Sequence, residues 1–253
     1  MSPYETLKYE KEEGIGYVTL NRPQQLNAYN IQMRDDLYEI LKAIQADREV
    51  RVALFQGAGE KAFCAGADLS EFLTAPSPVI ARRVRWQRDV WGLLLGLPQP
   101  LIAALHGYVL GSGLEIALCC DIRIASLEAR FGLPEMGLGI IPAAGGSQTL
   151  PRTVGRARAL EMLMANRWID SREAWRIGLV NRVVARDELV SVARQTAGAI
   201  ASYDPMAVQY AKQAVIKGRE GRLKEGLALE KRLFRRLMTA RNRTNIEAGG
   251  STC

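Results

Sequence analysis

Residues 101–126 read LIAALHGYVLGSGLEIALCCDIRIAS. Leu101 to Leu105 is an unbroken apolar run of strand length, and Asp121 to Ser126, carrying two isoleucines, reads as a further strand. Between them, Gly111-Ser-Gly113 opens the apolar stretch Leu114 to Cys120, which suits a short buried helix. Continuous apolar strands bounded by turn residues are what a sheet covered on both faces requires. Strand, glycine-rich turn, helix and strand together predict an α/β arrangement with parallel pairing.

The flanking segments repeat the pattern. Gly16 to Leu20 reads as a strand closed by the turn Asn21-Arg22-Pro23. Met33, Leu37, Ile40, Leu41 and Ile44 recur at helical spacing within Ile31 to Ala46. Val50 to Phe55 is a further buried strand, running into Gln56-Gly-Ala-Gly59. Pro76-Ser-Pro78 opens a helix that carries Trp86, Trp91 and a run of leucines and stops before Pro98. Beyond Val184 the character changes. Glu188 to Arg241 reads as helix, interrupted at Pro205 and again around Gly218 and Gly221. The predicted division is therefore a core over 1–187 and a helical region over 188–253, packed on the core or on another subunit.

Composition narrows the chemistry. The 253 residues are 48% hydrophobic and 24% charged, ordinary for a globular protein able to bury a large core. The N-terminal MSPYETLKYEKEEG is too charged for a signal peptide, and no apolar run reaches membrane-spanning length. A cytoplasmic location with no membrane partner is the expectation. Cys64, Cys119, Cys120 and Cys253 show no metal-ligand spacing and read as buried thiols in a reducing compartment. A single histidine, His106, argues against a histidine metal cage or a Ser-His-Asp triad. The net charge of +7 suits an anionic partner without choosing one.

Two glycine-rich stretches each follow an apolar strand: Ala62-Phe-Cys-Ala-Gly-Ala-Asp68 and His106-Gly-Tyr-Val-Leu-Gly-Ser-Gly-Leu-Glu115. Small residues there let a ligand approach backbone N–H groups, and a helix N-terminus adds partial positive charge. Two such groups converging on one point would stabilise the oxyanion of a thioester enolate. Either stretch alone is equally compatible with a tight turn that holds nothing. Glu115 and Glu135 weigh against that bland reading. Glu115 stands in the first helical turn among Leu114 and Ile116 to Cys120, and Glu135 follows Phe131-Gly-Leu-Pro134. A capping or salt-bridged glutamate is the alternative for each. Two carboxylates in apolar surroundings suggest an acid/base pair, with burial and repulsion raising one pKa.

At this point a family pattern is visible. Leu20-Asn-Arg-Pro with Leu26-Asn-Ala28, then AFCAGADL, then the 101–126 stretch, then FGLPEMGLGIIPAAGGSQTLPR, resembles the enoyl-CoA hydratase/isomerase (crotonase) family in order and spacing. The likeness runs from about residue 14 to 185 and more loosely through the helical tail. It implies a crotonase-like spiral of ββα units with a C-terminal helical subdomain that builds homotrimers, often paired into hexamers. It further implies that the Ala67 and Ser112 N–H groups hold the thioester oxygen, that Glu115 activates water for attack at C3, and that Glu135 delivers a proton to C2. Coenzyme A, as part of the substrate, would be held by Gln25 and Leu26 and by Lys61, Ala62, Phe63 and Ala65, with Gly66, Asp68 and Leu69 continuing that segment. No metal and no permanently bound cofactor are implied.

Both glutamates favour hydratase over simple isomerase, which generally lacks a carboxylate at the Glu115 position. Dienoyl isomerases carry a further acid eight residues after the Glu135 position, where this chain has Ala143. Departures from the pattern are Ser112 within Gly111-Ser-Gly113 in place of a third glycine, Ser70 where hydratases often have lysine, and an atypical ending through Gly249-Gly-Ser-Thr-Cys253. Cys64, with no histidine near it in sequence, and His106 read as structural rather than catalytic, and Trp86 and Trp91 as core. Arg82-Arg-Val-Arg85 and Lys231-Arg-Leu-Phe-Arg-Arg236 read as solvated or subunit-facing basic clusters. Competing readings are isomerisation, hydration of a cyclic or conjugated dienoyl-CoA, an RNA-binding relative using a basic helix, and an inactive scaffold. The sequence supports RNA binding only by charge.

Overall fold

The computed structural model of the chain describes residues 4–71 and 87–249. The helix expected from Pro76, with Trp86 and the Arg82–Arg85 cluster, falls largely outside those residues, as does the end of the chain from Gly250.

Among the described residues ten strands form two sheets: β1 (Leu7–Glu12), β2 (Ile15–Leu20), β3 (Val52–Gly57), β4 (Ala62–Cys64), β5 (Leu101–Leu105), β6 (Tyr108–Leu110), β7 (Ile122–Ser126), β8 (Arg130–Gly132), β9 (Ile169–Asp170) and β10 (Arg182–Val184). The larger sheet has the order β1-β2-β3-β5-β7-β10, and the smaller β4-β6-β8-β9. In the larger sheet only β1, at the edge, pairs antiparallel; the other neighbours are parallel. The pairs β3/β4, β5/β6 and β7/β8 each give one strand to each sheet. That regular alternation is the spiral of ββα units expected from the sequence.

Nine helices lie among the described residues: α1 (Ile31–Ala46), α2 (Val90–Gly96), α3 (Ser112–Cys119), α4 (Gly146–Val154), α5 (Arg156–Met164), α6 (Ser171–Arg176), α7 (Leu189–Ala201), α8 (Pro205–Gly218) and α9 (Leu223–Gly249). Alternation along the strands divides the core in two. Val18, Ala53, Phe55, Ala103, Leu105 and Ala125 face one cluster, shared with α1, α2, α3 and the second sheet. Tyr17, Val52, Leu54, Ile102, Ala104 and Ile124 face the other, covered by Leu189, Ala193 and Ala197 of α7. Burial on both faces is why these strands read as unbroken apolar runs. α7 thus packs on the larger sheet, so the helices extending beyond it are α8 and α9, which pack on each other.

One polar clasp ties α8 to the sheet. Lys212 Nζ lies 2.7 Å from Asp121 Oδ2 and donates to the Gln99 carbonyl at 2.9 Å, with the lysine side chain only 10% exposed. The same Asp121 oxygen accepts from Leu101 N at 2.7 Å, at the start of β5. Lys212→Met strands a half-buried carboxylate and is expected to cost about 1–3 kcal/mol. A denaturant titration with no loss of midpoint would contradict this role.

Candidate active site

The site is built where the two glycine-rich stretches meet. Asn27, fully buried, donates to the Ala58 and Ala62 carbonyls at 2.9 and 2.8 Å and accepts from Arg22 N, so the turn after β2 is fastened to the β3–β4 connection. Tyr29 N donates to the Gly66 carbonyl and Asp68 N to the Tyr29 carbonyl, at 2.8 and 2.9 Å. This parallel bridge leaves the intervening Ala67 N–H pointing away from Tyr29. Gly66, at φ +111°, lies against Gly111, at φ +49°, and a Cβ on Gly111 would stand 3.3 Å from Gly66 Cα. Only glycine adopts these backbone angles without strain at such close approach. Ser112 is the first residue of α3, so its N–H is one of the donors that a helix start leaves without an intrahelical acceptor. Ala67 and Ser112 therefore sit on two abutting segments, each with a backbone donor not used by its own element.

The two glutamates occupy contrasting environments. Glu115 is 2% exposed, and its Oε1 accepts from Ala144 N and Gly146 N, each at 2.9 Å. Those donors belong to the loop entering α4 and to that helix's first residue, where backbone N–H groups favour negative charge. Glu135 sits on a short 3-10 turn, Pro134–Leu138. Its Oε1 would be 3.2 Å from a Cβ on Gly111, and its Oε2 is buried without a hydrogen-bond partner among the described residues. Burial, reinforced by the charge of Glu115, pushes the Glu135 carboxyl up to about 7. Two backbone donors thus face one carboxylate, while burial raises the pKa of the other.

The enoyl-CoA hydratase/isomerase family matches over residues 10–249. The chain belongs to that family. It is 43% identical over 226 residues to a short-chain-enoyl-CoA hydratase of Clostridium acetobutylicum, covering 89% of this chain and 86% of the relative. Its identity to an (E)-benzylidenesuccinyl-CoA hydratase of Thauera aromatica is 40%, covering 86% and 85%. The crystal structure of an enoyl-CoA hydratase from Bacillus anthracis matches with a TM-score of 0.89 at 38% identity, over 97% of this chain and 96% of that one. The fold is the crotonase fold of the enoyl-CoA hydratase/isomerase family.

Within this family member, the residues expected to hold coenzyme A lie in differing surroundings. Leu26, Lys61 and Ala62 line a surface pocket of about 190 Å³ with Pro23, Gln24, Asn27, Ala58 and Glu60. Gln25 is adjacent in sequence but does not line it. Phe63 is fully buried in the core, so its side chain faces away from that pocket. Ala65 N donates to the Leu26 carbonyl, which links the two halves of the groove, and Leu69 is exposed beyond it. Asp68 is already engaged, by Arg22 Nη2 at 2.9 Å and Ser70 Oγ at 2.7 Å.

Cys64 is fully buried, and its thiol is pushed up to about 11 by that burial, the state of a packing residue rather than a nucleophile. Burial likewise pushes His106 down to about 4 and keeps it neutral. Trp91 packs on Tyr29 with ring centroids 5.7 Å apart, at the margin of the main core. Among the described residues no helix is long and apolar enough to cross a membrane. Sequence reasoning missed the Ala144 and Gly146 donors to Glu115. The glycine pair after Pro142 was the available signal, since a helix beginning on glycines brings backbone N–H groups close to a ligand or side chain.

Proposed function

We propose that the chain adds water in syn fashion to a trans-2-enoyl-CoA, giving a 3-hydroxyacyl-CoA. The observation that carries the reading is the pair of glutamates held in opposed environments beside two unused backbone donors. Water bonds to C3 as Glu115 takes one of its protons. The double-bond electrons move toward the thioester oxygen, and the Ala67 and Ser112 N–H groups stabilise the enolate. The enolate then collapses, and C2 takes the proton from Glu135. Glu115 has gained a proton and Glu135 has lost one, so exchange with solvent restores the starting state. Coenzyme A enters as part of the substrate, along the groove formed by the 23–27 and 58–62 segments. The exposed Leu223, Leu227, Phe234 and Met238 of α9 suit the helical region to building a homotrimer or hexamer.

Product analysis after turnover of crotonyl-CoA in oxygen-labelled water tests this. The expected product is 3-hydroxybutyryl-CoA carrying the label at C3. Double-bond migration without label would make the chain an isomerase. Turnover of a cyclic dienoyl thioester alone would assign it to that substrate class.

Glu135 also makes a stability prediction. Its folded pKa of about 7 lies above the ordinary glutamate value, so ionisation opposes folding and stability is lost as pH rises through 7. Glu135→Gln removes that linkage. The melting temperature of the variant relative to wild type is expected to become more positive between pH 5 and pH 8. A difference that does not move with pH would contradict a buried, protonatable Glu135.

A further inference from the structure

Arg22 and Asp68 are 46 residues apart in sequence, yet their side chains meet beside Ala67. Arg22 Nη2 lies 2.9 Å from Asp68 Oδ2, and both side chains are mostly buried, 17% and 15% exposed. Arg22 Nη1 donates to the Ala28 carbonyl at 2.6 Å. One guanidinium therefore grips both strands of the short bridge that carries Ala67: residue 28 on one side and residue 68 on the other. The other Asp68 oxygen accepts from Ser70 Oγ at 2.7 Å and from Ser70 N at 3.2 Å. The Ser70 hydroxyl, and after it the Arg22 guanidinium, hold the Asp68 carboxyl below the usual carboxylate range, so the pair is ionised at neutral pH. A little further on, Glu71 Oε2 accepts from Ile31 N at 2.8 Å, at the start of α1. Loop 66–71 is thus fastened to loop 22–31 at successive points.

Nothing in Ala67 itself explains where its N–H points. Its methyl is exposed, and the bridge to Tyr29 is made by the backbone of its neighbours, Gly66 and Asp68. Gly66, at φ +111°, places no side-chain restraint on the segment. The backbone bridge sets the direction of the Ala67 N–H, and the Arg22–Asp68 pair braces that bridge from both sides.

We propose that Arg22 and Asp68 are positioning residues for the oxyanion site: their ion pair aims the Ala67 N–H at the thioester oxygen. The inference rests on the hydratase reading above, and it reassigns Asp68 from holding coenzyme A to orienting a catalytic donor. An oxyanion donor acts through alignment with charge that develops in the transition state, so its misplacement affects turnover more than binding. A groove contact to coenzyme A would do the reverse, raising KM and leaving kcat alone.

The test uses the full-length protein and two variants, Arg22→Met and Asp68→Asn. Each variant is expected to lower kcat on crotonyl-CoA by about 10- to 100-fold with KM changed by less than about threefold. Lys11→Met, which breaks an exposed ion pair to Asp47 and Glu49 on the far loop, serves as the control and leaves both constants unchanged. The distinguishing readout is the infrared carbonyl stretch of bound butyryl-CoA labelled at its carbonyl carbon, a saturated thioester that cannot be hydrated. Wild type is expected to shift the band to lower frequency, and both variants to lose at least half of that shift. Variants that keep the full shift, or that raise KM with kcat intact, would overturn the positioning role. If Arg22→Met melts below the assay temperature, the isosteric Asp68→Asn decides. A wild-type band that does not move on binding would overturn the oxyanion reading itself, a failure separate from that of the ion pair.

Discussion

Glu115→Gln is expected to lower kcat for hydration of crotonyl-CoA by about 10²- to 10⁴-fold, with KM little changed. The amide oxygen that replaces Oε1 still accepts from the Ala144 and Gly146 N–H groups, so the local hydrogen bonds survive. The substitution removes the negative charge and the capacity to take a proton from water. Steady-state loss of the enoyl-thioester absorbance, measured beside a thermal melt, separates the two effects. A folded variant hydrating within a few-fold of wild type would remove Glu115 from the reaction.

The second large effect is expected at Gly113, where the demand is steric rather than conformational. A Cβ there would stand 2.2 Å from the Cys64 carbonyl oxygen, 2.8 Å from Cys64 Cβ and 2.9 Å from the Cys64 carbonyl carbon. Two of those atoms are backbone, so no rotamer change relieves the clash. The start of α3 and the end of β4 must separate, which destabilises the protein by about 2–4 kcal/mol. The same separation moves Ser112 away from Ala67. Gly113→Ala is therefore expected to lose about 10²-fold or more in kcat even where it remains folded, because both donors must point at one oxygen. Denaturant unfolding and turnover at a temperature below the melt give the two quantities. Wild-type stability would mean that α3 and β4 are not in contact as described.

The same tight packing explains what was legible beforehand. β2, β3 and β5 are buried on both faces, so each announces itself as a mostly apolar run whatever its register, and β7 shows itself through its two isoleucines despite Arg123. The second sheet does not. β4, β6 and β8 are three residues each, too short for a period to show, and β4 and β6 lie inside the two glycine-rich stretches. β1, with the sequence LKYEKE, is a solvent-facing edge strand whose charges suit an unpaired edge and hide it from a hydrophobicity reading. The helical tail was visible, and Pro205, next to the capping Asp204, begins α8 as expected. Periodicity identifies the amphipathic face of α7 but leaves open whether it covers the core or another subunit, and the structure places it on the larger sheet.

At the site, Glu115 and Glu135 stood out because a carboxylate among apolar residues needs a reason. Their difference in environment did not, because it depends on donors from residues 144–146 that reach Glu115 and do not reach Glu135. Arg22 was read as part of a turn, and Asp68 as a binding residue. Their meeting is a tertiary contact that no local pattern encodes.

The pH dependence of kcat/KM for crotonyl-CoA tests the central claim most directly, because the claim is that Glu135 must carry a proton while Glu115 does not. The account predicts that kcat/KM for hydration falls as pH rises through an apparent pKa of about 7, the value to which burial and Glu115 push Glu135. A profile that stays flat from pH 6 to pH 9, or that climbs over that range, would contradict the assignment of Glu135 as the acid that protonates C2.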